Sequence, residues 1–97
     1  MLTSKQRAYL RGLASTFDDV CQIGKDGLSD ACVASIKQVL HARELIKIKV
    51  LPNCELSARE VADSLQEKID AEVVGVVGYK VMLYKQSDKK DVKHIQI

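Results

Sequence analysis

The sequence lacks any apolar run approaching the roughly 20 residues that a membrane-spanning helix needs. Its first residues, from Met1 to Gln6, read as a helix start and lack the apolar core of a signal peptide. Apolar residues make up 46% of the 97 residues and charged residues 29%, which is typical of a globular domain and not of a disordered chain. We therefore expect one domain with its own core, located in the cytoplasm and not associated with a membrane.

Residue types that build metal centres and catalytic sites are few. The three cysteines, Cys21, Cys32 and Cys54, are spaced by 11 and 22 residues, which matches neither a zinc site nor a redox pair. The two histidines, His41 and His94, have no evident partner, and the carboxylates form no paired acid–base constellation. The sequence thus predicts free thiols in a reducing compartment, no metal, no cofactor and no enzymatic activity.

Charge is nearly balanced, at a net +2, but it is unevenly placed. Residues 1–50 carry eight basic against five acidic side chains, whereas residues 51–97 carry seven against eight. This mild asymmetry permits an anionic partner on one face without requiring one.

Hydrophobic periodicity predicts helices over residues 3–14, 29–42 and 57–71, and strands over 18–23, 44–51, 72–77 and 80–85. Capping boxes at Thr3 and Ser57 mark two of the helix starts. The order α-β-α-β-α-β-β predicts an α/β fold with a four-stranded mixed sheet. Right-handed crossovers would place its helices mainly on one face and leave the opposite face available.

The second predicted strand alternates between apolar and basic residues. Its isoleucines point to the packed face, while Leu45, Lys47 and Lys49 point to a face expected to be wet and locally basic. These lysines could bind an anion, solvate an open face or protect an edge strand.

Two glycines bracket a lysine and an aspartate at Gly24-Lys25-Asp26-Gly27, between a predicted strand and a predicted helix. Ser29 is placed as the helix N-cap, with Leu28 and Val33 as a hydrophobic staple. Gly-x-x-Gly turns of this kind clamp nucleic-acid backbones in KH domains, although the spacing alone also fits an ordinary tight turn. A second Gly-x-x-Gly, at residues 75–78, lies among β-branched residues, leads into no helix and is given no binding role.

The chain ends in a predicted hairpin and a polar segment. Gly78-Tyr79 suits a two-residue type II′ turn between the last two strands. We place the domain at residues 1–86 and a polar tail at 87–97, in which residues 92–97 could add a short edge strand.

With these elements placed, the sequence resembles the CRM domain, an RNA-binding module, in its stand-alone bacterial YhbY-like form. The resemblance covers about residues 2 to 85 and rests on several ordered motifs. These are Leu2-Thr3-x-Lys5-Gln6, Leu10-Arg11-x-Leu13-Ala14, Gln22-Ile23-Gly24-Lys25-x-Gly27-Leu28, Arg43-Glu44-Leu45-Ile46-Lys47-Ile48-Lys49-Val50, and Val77-Gly78 followed by Val81-x-Leu83-Tyr84.

The resemblance implies a fold similar to the C-terminal domain of translation initiation factor three and association with precursors of the large ribosomal subunit. It implies that RNA, most simply ribosomal RNA, is bound by a monomer through the Gly-x-x-Gly loop and nearby basic side chains. Carried over by position, these residues are Gly24, Lys25, Asp26 and Gly27 in the loop, Lys5, Arg7 and Arg11 on the first helix, and Lys47 and Lys49 on the second strand. Glu44 and Leu45 also match the family, and we interpret both as structural.

Two features shape the expected RNA contact. The carboxylate of Asp26 repels an approaching phosphate. It should therefore weaken the turn's contribution to RNA binding and leave more of the binding to Lys25 and its basic neighbours. With no tryptophan and only four aromatic residues, base stacking should be minor. Tyr9 is expected in the core, which leaves Tyr79 at the hairpin tip as the candidate to test.

A protein-interaction module is the alternative function. It would use the acidic outer face of the third helix or the open face of the sheet, with the basic residues serving solubility. The acidic face consists of Glu60, Asp63, Glu67 and Asp70.

Overall fold

Three helices and four strands build residues 2–86, the part of the chain that the computed structural model describes. Their order and bounds are α1 (Ser4–Ala14), β1 (Cys21–Ile23), α2 (Asp30–Arg43), β2 (Leu45–Val50), α3 (Ala58–Ile69), β3 (Glu72–Val77) and β4 (Lys80–Tyr84). The predicted order of elements is confirmed. The predicted polar tail and its edge strand lie outside the described residues.

All three helices begin where short-range signals in the sequence place them. At α1 the Thr3 hydroxyl accepts the Gln6 N–H at 3.1 Å, and the Gln6 side chain accepts the Thr3 N–H at 2.9 Å. Ser57 and Glu60 make the same reciprocal pair at the start of α3. Each box satisfies two backbone donors that the helix itself leaves unpaired, so the start is set by residues three apart.

The sheet has the strand order β1-β2-β4-β3 and is mixed. β1 runs parallel to β2, and β4 is antiparallel to both of its neighbours. β1 is three residues long, shorter than the predicted 18–23, and pairs with β2 from Cys21 opposite Ile48 to Ile23 opposite Val50. The hairpin turn is as predicted, with φ of +57° at Gly78 and no positive φ at Tyr79.

One face of the sheet packs against α2 and α3. The core on this side includes the buried stripe predicted for α3, which consists of Ala58, Val61, Ala62, Leu65 and Ile69. Alternate residues of β2 and β4 meet this stripe, together with Ile36 and Leu40 of α2. These two helices form one layer over the sheet.

The opposite face is not free, which corrects the expectation of an open, wet sheet face. α1 packs there through Leu10 and Ala14 onto Leu45, Met82 and Tyr84. Leu45, which shares this face with the lysines, is only 1% exposed, in agreement with its structural interpretation. The crossover rule governs helices between strands, whereas α1 precedes the first strand and covers the side that the crossovers leave bare. The part of this face that remains accessible lies toward β1 and the end of the sheet that carries Lys49, Val77 and Lys80.

Tyr9 was expected in the core and is instead 54% exposed. The neighbouring Leu10 faces the sheet and is fully buried. Adjacent helix positions are about 100° apart, so a narrow buried face on a short helix cannot include both residues. The expectation for Tyr9 was wrong.

The junction from α2 to β2 takes a single residue, Glu44. It is fully buried, has φ of +66° and donates its N–H to Leu40 O at 2.7 Å. Its carbonyl accepts the Lys85 N–H at 2.9 Å. Burial, and then the nearby Glu44 carboxylate, raises the pKa of the Tyr84 hydroxyl. This environment agrees with the structural interpretation of Glu44.

Candidate nucleic-acid interface

The Gly24–Gly27 segment forms a closed turn between β1 and α2. The Gly27 N–H donates to the Gly24 carbonyl at 3.0 Å. Gly27 has φ of +62°, and a Cβ there would meet no atom within 4 Å, so backbone conformation and not space favours glycine. A Cβ at Gly24 would lie 3.4 Å from Asn53 Oδ1, so that glycine abuts the segment after β2.

The turn leads directly into the N-terminus of α2. Ser29 Oγ accepts the Cys32 N–H at 3.2 Å, and Leu28 and Val33, the two positions of the predicted staple, each pack against the core. The amides of Asp30 and Ala31 have no acceptor within residues 2–86. The donors available to an anion therefore include those in the first turn of α2, whereas the Gly27 amide is used within the turn.

Lys25 and Asp26 occupy the two central positions of the turn, and both are exposed. A phosphate approaching the α2 N-terminus would therefore meet one ammonium and one carboxylate at the tip.

Lys47 and Lys49 lie on the α1 side of the sheet. Lys47 Nζ donates to the Ser15 carbonyl at 3.2 Å, just after the end of α1. Lys49 lies nearer the turn, because its neighbour Val50 is paired with Ile23, which directly precedes Gly24. Lys49 makes no ion pair or side-chain hydrogen bond among the described residues.

Sequence reasoning missed Lys80, which stands directly opposite Lys49 in the β2–β4 pairing. Its Nζ lies 2.5 Å from Asp19 Oδ2, and this ion pair offsets part of the repulsion between the two lysines. The sequence could have indicated the position of Lys80, because side chains alternate between faces along β4 and this places Lys80, Met82 and Tyr84 on one face. The partner strand, however, was not evident from the sequence.

The three basic residues of α1 are dispersed. Arg7 lies beside the start of β3, where it donates to Val73 O at 3.1 Å and pairs with Glu72 at 3.4 Å. The start of β3 and the Gly24–Gly27 turn are at opposite ends of the sheet, which puts Arg7 about 17 Å away along the strands. Arg11 lies over Gly75 in β3, and Lys5 is exposed about 160° around the helix from Arg7.

The structure therefore brings together one part of the predicted set. The turn and Lys49 lie at one end of the sheet, and Lys47 lies further along β2 on the same side as Lys49. Arg11 lies on the same side over the far edge strand, while Lys5 and Arg7 lie toward the other end.

Two thiols flank the turn. Cys21 precedes it in β1 and Cys32 follows it in α2, and both are free and partly exposed. Burial raises the pKa of the Cys32 thiol, and the adjacent Cys21 thiol adds to this effect. Sequence spacing had not indicated this proximity.

Within residues 2–86, no three His, Cys, Asp or Glu side chains group as a metal site would need. The described helices include none long and apolar enough to span a bilayer.

Comparison with known proteins adds an independent line of evidence. The chain is 39% identical over 97 residues to the Bacillus subtilis protein named probable RNA-binding protein YqeI, covering 100% of this chain and 99% of that protein. It is 28% identical over 92 residues to an RNA-binding protein of Haemophilus influenzae, covering 95% and 93% of the two chains.

A solved structure agrees with the fold. The solution structure of the hypothetical protein SAV1595 from Staphylococcus aureus matches with a TM-score of 0.79 at 38% sequence identity, over 98% of this chain and 100% of that one. The sequence profile of the CRS1 / YhbY (CRM) domain matches residues 2–85, which is nearly all of the described part. The chain therefore belongs to the CRS1/YhbY (CRM) domain family.

Proposed function

We propose that this protein is a non-catalytic RNA-binding protein that binds ribosomal RNA during assembly of the large ribosomal subunit, acting as a cytoplasmic monomer. The observation that carries the proposal is the exposed Gly24–Gly27 turn, which opens onto the N-terminus of α2 beside Lys49. The relatives named as RNA-binding proteins support the class of ligand. The family resemblance supports the ribosomal partner.

In this proposal the RNA backbone crosses the turn at its exposed side. The free amides at the start of α2 and the partial positive charge of the helix end hold one phosphate. Lys25 adds a positive charge in the middle of the Gly24–Gly27 turn, and Lys49 and Lys47 add further positive charges along β2. Contacts of this kind recognise the backbone and not the base sequence, so affinity should depend on charge and on strand geometry.

A charge-matched pair of variants tests this interface. We expect Lys25→Ala/Lys49→Ala to lower affinity for single-stranded RNA about 5- to 30-fold, if each exposed contact is worth about 0.5–1 kcal/mol. The control is Lys37→Ala/Lys68→Ala, which removes the same charge from exposed positions on α2 and α3. Binding is measured by fluorescence anisotropy, and folding by thermal unfolding.

Equal affinity of the two double variants, with both folded, would overturn the interface. The ribosomal partner is tested separately, by sedimenting tagged protein with subunit precursors and sequencing the RNA crosslinked to it in cells. Recovery of the tagged protein only at the top of the gradient, with no enrichment of ribosomal RNA, would contradict that part of the proposal.

A further inference from the structure

The tip of the β3–β4 hairpin exposes apolar surface that the fold does not use. Among residues 2–86 the large apolar side chains that are exposed are Tyr9, Val77 and Tyr79, and two of the three flank Gly78 at this tip. Tyr79 is 60% exposed and Val77 is 56% exposed. A type II′ turn requires glycine at its first position but places no demand for an aromatic residue at the second.

The hairpin tip and the Gly24–Gly27 turn lie on either side of the end of β2. The Val50 N–H donates to the Tyr79 carbonyl at 2.7 Å, and the Leu51 N–H donates to the Ile23 carbonyl at 2.8 Å. Two successive amides thus tie the tip and the turn to the same point. Two strand spacings separate them, which is about 10 Å. A Gly-x-x-Gly loop of the KH type holds about four nucleotides, which is enough strand to reach from the turn to the tip.

A cavity of about 350 Å³ lies beside the tip. Pro52, Leu56 and Tyr79 contribute to its lining, and so do the carboxylates Glu55 and Glu60. Its volume is at the lower end of the range for small-molecule sites, about 300–1,000 Å³. The two carboxylates repel a phosphate, whereas the amino groups of a nucleobase can donate to them. Charge therefore divides this end of the molecule into a side suited to the RNA backbone and a side suited to a base.

We propose that the hairpin tip is a nucleobase subsite, in which Tyr79 stacks on one unpaired base of the RNA strand that crosses the Gly24–Gly27 turn. This inference rests on the proposed function and restricts its ligand to RNA with a single-stranded segment at this point. A base within a duplex is stacked on both faces and cannot meet the ring. Base stacking on this protein is then confined to one position, in keeping with its scarcity of aromatic residues.

The absence of tryptophan allows a direct spectroscopic test. The probes are a single-stranded RNA of about 12 nucleotides and the same strand with abasic sites. We expect Tyr79→Trp to bind the first probe about as tightly as the unaltered protein, with quenching of its only tryptophan. We expect little quenching by the abasic strand, because it offers no ring to stack.

Affinity supplies the second readout. We expect Tyr79→Ala to weaken binding of the base-bearing strand about 5- to 100-fold and to leave binding of the abasic strand unchanged. Tyr9→Ala is the matched control, since Tyr9 is a similarly exposed tyrosine on α1 and should affect neither probe. Thermal unfolding of each variant checks that the hairpin is intact.

Two results would overturn the subsite: equal quenching by both strands, or full affinity of folded Tyr79→Ala for the base-bearing strand. If Lys25→Ala/Lys49→Ala still weakens binding in that case, only the subsite fails. If that double variant also binds normally, the RNA interface itself fails.

Discussion

Arg7 shows how a basic residue expected to contact RNA can have its charge committed elsewhere. Its guanidinium donates to the Val73 carbonyl, next to the irregularity between Val73 and Gly75 that interrupts the β3–β4 pairing. It also pairs with the partly exposed Glu72 carboxylate, which weakens the attraction of Arg7 for an anion. Arg7 therefore contributes to the attachment of α1 to β3, and its use in RNA binding stays a prediction.

Asp26 is the residue whose charge opposes the proposed ligand. We expect Asp26→Asn to tighten RNA binding about 2- to 5-fold at low salt, because one repulsive charge is removed from the turn. Asparagine keeps the preference of aspartate for turn conformations, so stability should change little. Anisotropy titration and thermal unfolding measure the two effects.

Glu67→Gln is the matched control for Asp26→Asn. It makes the same change of charge at an exposed position on α3, on the other side of the sheet from Lys49. Weaker binding by Asp26→Asn would contradict the expectation and would mean that the carboxylate is needed to shape the turn.

At the scale of elements, the start of α2 both caps a helix and presents the turn. Ser29 supplies the cap, and Leu28 and Val33 on either side of it pack against the core, which holds the chain where it enters the helix. The amides proposed to hold phosphate belong to this same helical turn. Fraying here should consequently affect both stability and binding.

We expect Ser29→Ala to cost about 1 kcal/mol of stability, because the Cys32 N–H loses its acceptor, and to weaken RNA binding as well. Thr3→Ala is the matched cap removal, at the start of α1 and away from the turn. It should lower the free energy of unfolding by a similar amount and leave affinity unchanged. Urea unfolding and RNA titration on the same samples separate the effects, and an equal loss of affinity in both variants would refute a special role for the α2 start.

At the scale of the whole molecule, the sheet separates the lysines of β2 from the acidic face of α3. The basic residues Lys47 and Lys49 lie on the α1 side of the sheet, whereas α3 on the other side presents an exposed acidic face. This separation keeps an RNA strand held at Lys47 and Lys49 away from the α3 carboxylates, although the α2–α3 layer also carries Lys37, Arg43, Arg59 and Lys68. It also leaves the acidic face as the surface that a protein partner would use in the alternative function.

Salt dependence distinguishes these two functions. With about three to five phosphate contacts, the logarithm of RNA affinity should fall with the logarithm of salt concentration at a slope of about −2 to −3.5. Lys25→Ala/Lys49→Ala should make the slope shallower by about 1.4, because each phosphate contact on a single strand contributes about 0.7. Titration at several salt concentrations measures the slope. A nearly flat slope would instead favour docking by apolar burial.

Interactions between residues close in the chain explain what the sequence by itself determined. The caps at Thr3, Ser29 and Ser57 join residues three apart, and the buried stripe of α3 follows the helical repeat. The element order, the position of the turn and the type of the hairpin follow from signals of the same short range. These local interactions do not depend on contacts between distant segments, so they can be inferred from the sequence alone.

Only the tertiary structure decided which surfaces these elements share. Arg7 meets Glu72 across 65 positions, and Lys80 meets Asp19 across 61, so neither pairing could be inferred from local pattern. The side taken by α1 depends on which sheet face the crossovers leave uncovered, and that choice buried Leu45 and exposed Tyr9. The placement of Tyr79 beside the turn likewise follows from strand order, because β4 pairs with β2 and so brings the hairpin tip to the same end of the sheet.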